Sequence, residues 1–114
     1  MIKRVNNINA EEIANPKNGR GFAVKLAYNE AAELKGNITM VAVMDLQPDS
    51  EVGQHIHDND SEIYLMLDGV AVVNDNGTED LLNPGDMLIT RKGEFHSIEN
   101  KSATNITFLA IIVE

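Results

Sequence analysis

From Asn37 to the end of the chain, apolar residues come in short bursts cut by Gly, Pro, Asn and Asp, the pattern of strands joined by tight turns. The pattern predicts strands over Ile38 to Gln47, Gly53 to His57, Glu62 to Leu67, Val70 to Val73, Thr78 to Leu82, Met87 to Thr90, Phe95 to Ile98 and Asn105 to Val113. Pro48-Asp49-Ser50, Asp58 to Ser61, Asp68-Gly69, Pro84-Gly85-Asp86 and Lys92-Gly93 fall between them as turns. Asn76-Gly77 is the strongest hairpin signal, because both residues accept positive φ readily. Phe22 to Tyr28 alternates loosely and reads as a further strand. Asn29 to Leu34 has a brief helical composition, closed by Gly36, and Ala10 to Ala14 reads as a short helical turn ended by Asn15-Pro16. The expected class is all-β, a sandwich or barrel forming one domain over residues 1–114, with 1–21 a polar N-terminal segment.

Two strands depart from simple inside–outside alternation. Glu62, Tyr64 and Met66 share one face of their strand, and Ile63, Leu65 and Leu67 share the other. Ile106 to Val113 is apolar on both faces apart from Thr107. A second copy covering the outer faces would account for this, so a homodimer is expected; the alternative cover is the N-terminal segment.

Composition narrows the partners. Nine basic residues against 18 acidic ones leave a net charge of −9, which repels phosphate backbones and argues against nucleic acid. No apolar run approaches the roughly 18 residues that span a bilayer, and no apolar stretch follows the basic residues at the start, so neither a membrane span nor a secretion leader is expected. The absence of cysteine excludes disulfides and thiolate ligands and suits a cytoplasmic setting.

The chemistry gathers around three histidines, the full complement of the chain. His55 and His57, two apart on a strand, point to one face. Glu62 opens the next strand after a turn, and His96 arrives from a later β element. Three imidazoles and one carboxylate form a borderline N3O donor set able to hold one divalent transition metal: Mn, Fe, Co, Ni, Cu or Zn. A six-coordinate ion so held keeps two positions for water or substrate.

These residues carry a resemblance to the cupin superfamily. Its first motif is a glycine, a spacer, HxH, a spacer, Glu, a spacer and Gly; here it reads His55-Ile56-His57, Glu62 and Gly69, with Asp49 in the leading glycine position. The second motif reads Gly85, Arg91-Lys92-Gly93, His96 and Asn100, with Arg91 in place of the usual proline, a change that weakens the rigidity of the turn. Glu62-Ile63-Tyr64, Asp75-Asn76-Gly77, Asn83-Pro84-Gly85-Asp86 and His96-Ser97-Ile98-Glu99-Asn100 further resemble the small conserved-barrel, oxalate-binding-like cupins. The resemblance implies a jelly-roll barrel of roughly six to eight strands, with His55, His57, Glu62 and His96 as ligands near one open end. It also implies dimers.

Residues sharing the ligands' face are the candidate pocket wall: Met66 beside Tyr64, an opposite row with Met40, Ala42 and Met44, and Phe108 from the last strand. Methionines in such places also serve as adaptable core filler. Tyr64 is the candidate catalytic group, able to orient a bound ligand or donate a proton. Arg20, in a glycine-flanked loop, is a candidate clamp for a carboxylate at the barrel mouth; Gln54 faces away from His55 by parity, and Asn100 is expected to tie down a loop through its amide. No further histidine is available as a general base. The leading expectation is a metal-dependent enzyme acting on a small polar, carboxylate or diketone-like molecule, as a dioxygenase or decarboxylase. The alternative is a non-catalytic metalloprotein that binds or senses a small molecule.

Overall fold

The computed structural model describes residues 1–34 and 36–114. Ten strands occur among the described residues: β1 (Glu11–Ala14), β2 (Phe22–Ala27), β3 (Ile38–Leu46), β4 (Glu51–Ile56), β5 (Ser61–Asp68), β6 (Ala71–Asp75), β7 (Thr78–Leu82), β8 (Met87–Thr90), β9 (Phe95–Glu99) and β10 (Ile106–Val113). They form two antiparallel sheets, β1-β2-β3-β10-β5-β8 and β4-β9-β6-β7, in the expected jelly-roll arrangement. The count exceeds the roughly six to eight implied by the resemblance because β1 and β2 extend one edge of the larger sheet. One turn of helix, α1 (Asn29–Ala32), falls within the stretch read as helical.

The core lies between the sheets. Alternation holds where it matters: Glu62, Tyr64 and Met66 of β5 are buried, as are Ala42, Met44 and Leu46 of β3 and Ile106, Phe108 and Ala110 of β10. At the β6–β7 hairpin Asn76 and Gly77 both take positive φ (52° and 96°) opposite the Asp75–Thr78 pair, the geometry a two-residue hairpin loop requires. Asn100 is fully buried; its amide nitrogen donates to the carbonyls of Leu46 and Thr104, and its side-chain oxygen accepts from Ser102, so it fixes a loop as expected.

The N-terminal segment differs from its reading. Ala10 to Ala14 is not a helical turn: residues 11–14 form β1, each paired with β2 from Lys25 to Phe22. The free edge of β2 offers a ladder partner for every residue of this stretch, which an isolated helical turn would not. After β1 the chain passes through a short 3-10 turn at Pro16–Asn18 and crosses β4 at very close range. A Cβ added to Gly53 would lie 2.2 Å from the Lys17 carbonyl oxygen, and one added to Gly19 would lie 1.9 Å from the Glu51 carbonyl oxygen. Only glycine permits that approach. The segment thus folds back on its own barrel.

Candidate metal centre

β4 and β9 run side by side with His55 directly opposite His96, while His57 lies just beyond the end of β4. The turn Asp58–Asp60 reverses the chain, and β5 brings Glu62 to the same side. The His96 Nε2 lies 3.1 Å from Nε2 of both His55 and His57. Glu62 Oε1 lies 3.1 Å from Nε2 of His57 and of His96, and 4.0 Å from that of His55. His57, Glu62 and His96 are buried and His55 is half-buried.

The other ring nitrogens explain the convergence. His55 Nδ1 is 2.7 Å from the Gly53 carbonyl oxygen, and His57 Nδ1 is 2.6 Å from Asp60 Oδ1. A carbonyl and a carboxylate only accept, so both Nδ1 atoms carry a proton, and with a metal ion bound both Nε2 atoms offer it a lone pair. His96 Nδ1 pairs with Thr90 Oγ1 at 2.6 Å. This outer ring of partners locks the ring orientations, as in metal-bound histidines generally. Sequence reasoning missed Asp60, Thr90 and the Gly53 carbonyl. Asp60 had a legible signal, a carboxylate three residues after His57 in a tight turn; Thr90 is placed only by the pairing of β8 with β5, where it faces Glu62.

Lone pairs aimed at one another and at a carboxylate repel unless a cation sits among them. In an octahedral site with bonds of about 2.2 Å, neighbouring donors are about 3.1 Å apart. The cluster matches that spacing and is capable of coordinating one divalent metal ion. Without the ion, protons carry part of the load. Burial opposes the Glu62 charge, yet hydrogen bonds from His57 and His96 outweigh it and hold the carboxyl at about 2. The same Glu62 bond raises the His57 pKa, whereas burial lowers that of His55.

A cavity of about 550 Å³ opens onto the cluster, within the range of small-molecule sites. His55, His57 and Glu62 line it, while His96 is buried without reaching its wall. Of the candidate wall residues, Met40, Met44, Tyr64 and Phe108 line it. Met66 does not: it is fully buried in the core, further along β5 from Glu62. Arg20 is also absent from the wall. Its guanidinium pairs with Glu99 and lies 3.7 Å from Glu51, and its backbone bridges to Glu51, so its charge is already met by the chain's own carboxylates. Gln54 is exposed. Tyr64 stacks on His96, ring centroids 4.6 Å apart and planes 20° apart, and tilts against Phe108. Burial first, then the neighbouring Glu62 carboxylate, raises its pKa well above the usual phenol value, so its hydroxyl keeps its proton.

Both departures from the sequence motifs are compensated locally. Asp49 holds positive φ (59°) where the motif has glycine. The Arg91 N–H, which a proline would lack, donates to Glu94 Oε1 at 2.7 Å, so a hydrogen bond supplies the rigidity expected to be lost.

Known proteins agree with this architecture. The Cupin domain family matches residues 42–112. An oxalate-binding protein of Thermotoga maritima is 40% identical, covering 99% of this chain and 93% of its own length. The crystal structure of a predicted oxalate decarboxylase from Thermotoga maritima is 38% identical with a TM-score of 0.89, covering 99% of this chain and 98% of that one. A sugar phosphate isomerase of the cupin superfamily from Silicibacter pomeroyi shares the fold at 20% identity, with a TM-score of 0.81 and coverage of 100% of this chain and 76% of its own. With the family matched over most of its length and the ligand geometry in place, the chain belongs to the cupin superfamily.

Proposed function

We propose that this chain is a divalent-metal-dependent enzyme that acts on a small carboxylate, with His55, His57, Glu62 and His96 as the metal ligands. The observation that carries the reading is the convergence of four donor atoms beside an open cavity that His55, His57 and Glu62 line, rather than in a sealed structural site. The bound ion would supply Lewis acidity, drawing carboxylate oxygens into its open positions and stabilising negative charge that develops there. Names of the Thermotoga relatives, oxalate-binding protein and predicted oxalate decarboxylase, point to the same substrate class.

The protein's own groups divide the remaining work. Met40, Met44 and Phe108 give the cavity an apolar wall that limits water around the reacting carbon. Among the described residues Tyr64 carries the only side-chain hydroxyl in the wall, and it remains protonated. Loss of CO2 from a dicarboxylate leaves a carbon that must take up one proton, and in this reading Tyr64, a protonated hydroxyl of the wall, is the donor. A second reading, a non-catalytic binding protein, draws support from the shortage of free acid–base groups: Asp60 and Glu62 are both tied to histidines.

The test loads metal-depleted protein with each of Mn, Fe, Co, Ni, Cu and Zn, then adds oxalate and other small carboxylates and diketones. CO2 release without oxygen uptake supports decarboxylation; uptake of dioxygen with substrate supports the dioxygenase form of the enzyme. Saturable carboxylate binding without turnover establishes the binding reading. No binding by any loaded form overturns both. Tyr64→Phe lowers turnover by about a hundredfold or more if Tyr64 donates the proton, with substrate affinity little changed.

The setting belongs to the same proposal. The outer face of the larger sheet carries Ile63, Leu65, Leu67, Ile89, Leu109 and Ile111, and Leu67 and Ile89 remain 48% and 45% exposed. Such a continuous apolar face suits a second copy of the chain, giving a homodimer. A solution mass of twice the 12.5 kDa chain is expected, and the single-chain mass at micromolar concentration contradicts it. No helix among the described residues is long and apolar enough to cross a membrane. In this proposal the cysteine-free sequence is what favours a cytoplasmic setting.

A further inference from the structure

Two lysines line the same cavity. Lys25 stands on β2 beside Met44 of β3, both on the inward face, and Lys17 belongs to the 3-10 turn that crosses β4. Among the described residues neither ammonium has a carboxylate within 4.0 Å, although Glu11 sits opposite Lys25 in the β1–β2 ladder. Of the lysines elsewhere among the described residues, Lys3 pairs with Glu30 and Lys101 with Glu99, while Lys92 pairs with no carboxylate.

The placement of Lys17 is costly. Its φ of 51° lies in the left-handed region, where lysine, unlike the neighbouring Asn15 and Asn18, has no particular tolerance. The surroundings hold it there. Gly19 N–H donates to the Pro16 carbonyl at 2.9 Å, Asn15 N–H to the Gly21 carbonyl at 2.8 Å, and the Arg20–Glu51 bridge closes the loop against β4. The glycine-only contact between the Lys17 carbonyl and Gly53 fixes the height of the turn over the site.

Charge and size agree. With a divalent ion in place, the ion and the two lysines outweigh Asp58, Asp60 and Glu62 by one positive charge, in a chain whose net charge is −9. An anion is therefore favoured inside a protein that repels anions overall. At about 550 Å³ the cavity also has far more room than a two-carbon acid needs.

We infer that the substrate is a longer acid with two anionic ends, one seated on the metal and the second held by Lys17 and Lys25 of the cavity wall. The inference rests on the proposed carboxylate reading and deepens it: the lysine pair sets specificity for dicarboxylates beyond the size of oxalate. Each ammonium donates charge-assisted hydrogen bonds to the distal carboxylate, which a methyl-terminated chain end cannot accept.

Calorimetry of the Mn-loaded protein with matched acids tests this without turnover. 2-Oxoglutarate and 2-oxovalerate share a metal-chelating head and differ in whether the far end is a carboxylate or a methyl group; 2-oxoadipate and 2-oxohexanoate repeat the comparison one carbon longer. The expected result is a preference of about tenfold for the dicarboxylate in at least one pair, erased in Lys25→Met and in Lys17→Met/Lys25→Met. In the unsubstituted protein the preferred acid also protects Lys17 and Lys25 from acetylation, read by mass spectrometry. Equal affinity within both pairs, or a preference that survives both variants, overturns the lysine role while leaving the carboxylate reading standing, provided oxalate still binds. If neither oxalate nor any 2-oxo acid binds, both inferences fall.

Discussion

The carbonyl oxygen of Gly53 accepts the Nδ1 proton of His55 at 2.7 Å, and the same residue is the one against which the Lys17 carbonyl packs. One glycine therefore links the crossing N-terminal segment to a histidine of the candidate metal cluster. Gly53→Ala places a methyl group 2.2 Å from the Lys17 oxygen and 2.8 Å from the Gly19 nitrogen. Backbone atoms cannot step aside cheaply, so the variant should lose about 1–3 kcal/mol of stability in denaturant unfolding. It should also bind metal more weakly, because the backbone shift displaces the carbonyl that anchors His55. Wild-type stability and wild-type metal affinity together would contradict the linkage.

Asp60 reaches no donor of the cluster except through His57, whose Nδ1 it holds at 2.6 Å. Asp60→Ala should weaken metal binding by about 10- to 100-fold while the fold survives, since Asp60 lies in a surface turn. Asp60→Asn, which keeps an acceptor but loses the charge, should fall between the two. A competition titration with a chelating dye orders the three proteins, and equal affinities would show that the Asp60 bond does not tune the site.

Much of this site was legible because strand alternation and the HxH spacing act locally. His55 and His57 share a face by parity, and Glu62 follows one short turn later. Positive φ at Asp49 likewise follows from a turn position where an Asx residue can stand in for glycine. Thr90, Lys17 and Lys25 were illegible for the opposite reason. Each reaches the cavity or its ligands only through pairing between strands or segments distant in sequence. Arg20 shows the reverse failure. A glycine-flanked arginine looks free in the sequence, but the fold brings Glu99, 79 residues away, against its guanidinium. At Glu11 to Ala14 the local helix preference of Glu and Ala was overridden by the open edge of β2.

Acid should act on the metal-free protein through Glu62. Its folded pKa of about 2 lies below the ordinary 4.5, so the folded state holds the carboxylate more firmly than the unfolded chain does. The resulting stability is fully present above about pH 4.5 and is lost as pH falls toward 2. Glu62→Gln cannot show this loss. The stability gap between wild type and Glu62→Gln, measured metal-free, should therefore narrow from pH 5 to the lowest pH at which both fold. A gap independent of pH would mean that His57 and His96 do not hold the carboxylate in solution.

The most direct measurement is a titration of metal-depleted protein with Mn2+ or Co2+, followed by calorimetry, for wild type, His96→Ala and Glu62→Gln. One ion per chain is expected for the wild type, with affinity sharply reduced when either buried ligand is removed. Circular dichroism of the variants confirms that the fold remains. Absence of saturable binding in the wild type, or unchanged one-to-one binding in both folded variants, would contradict a metal centre built from His55, His57, Glu62 and His96.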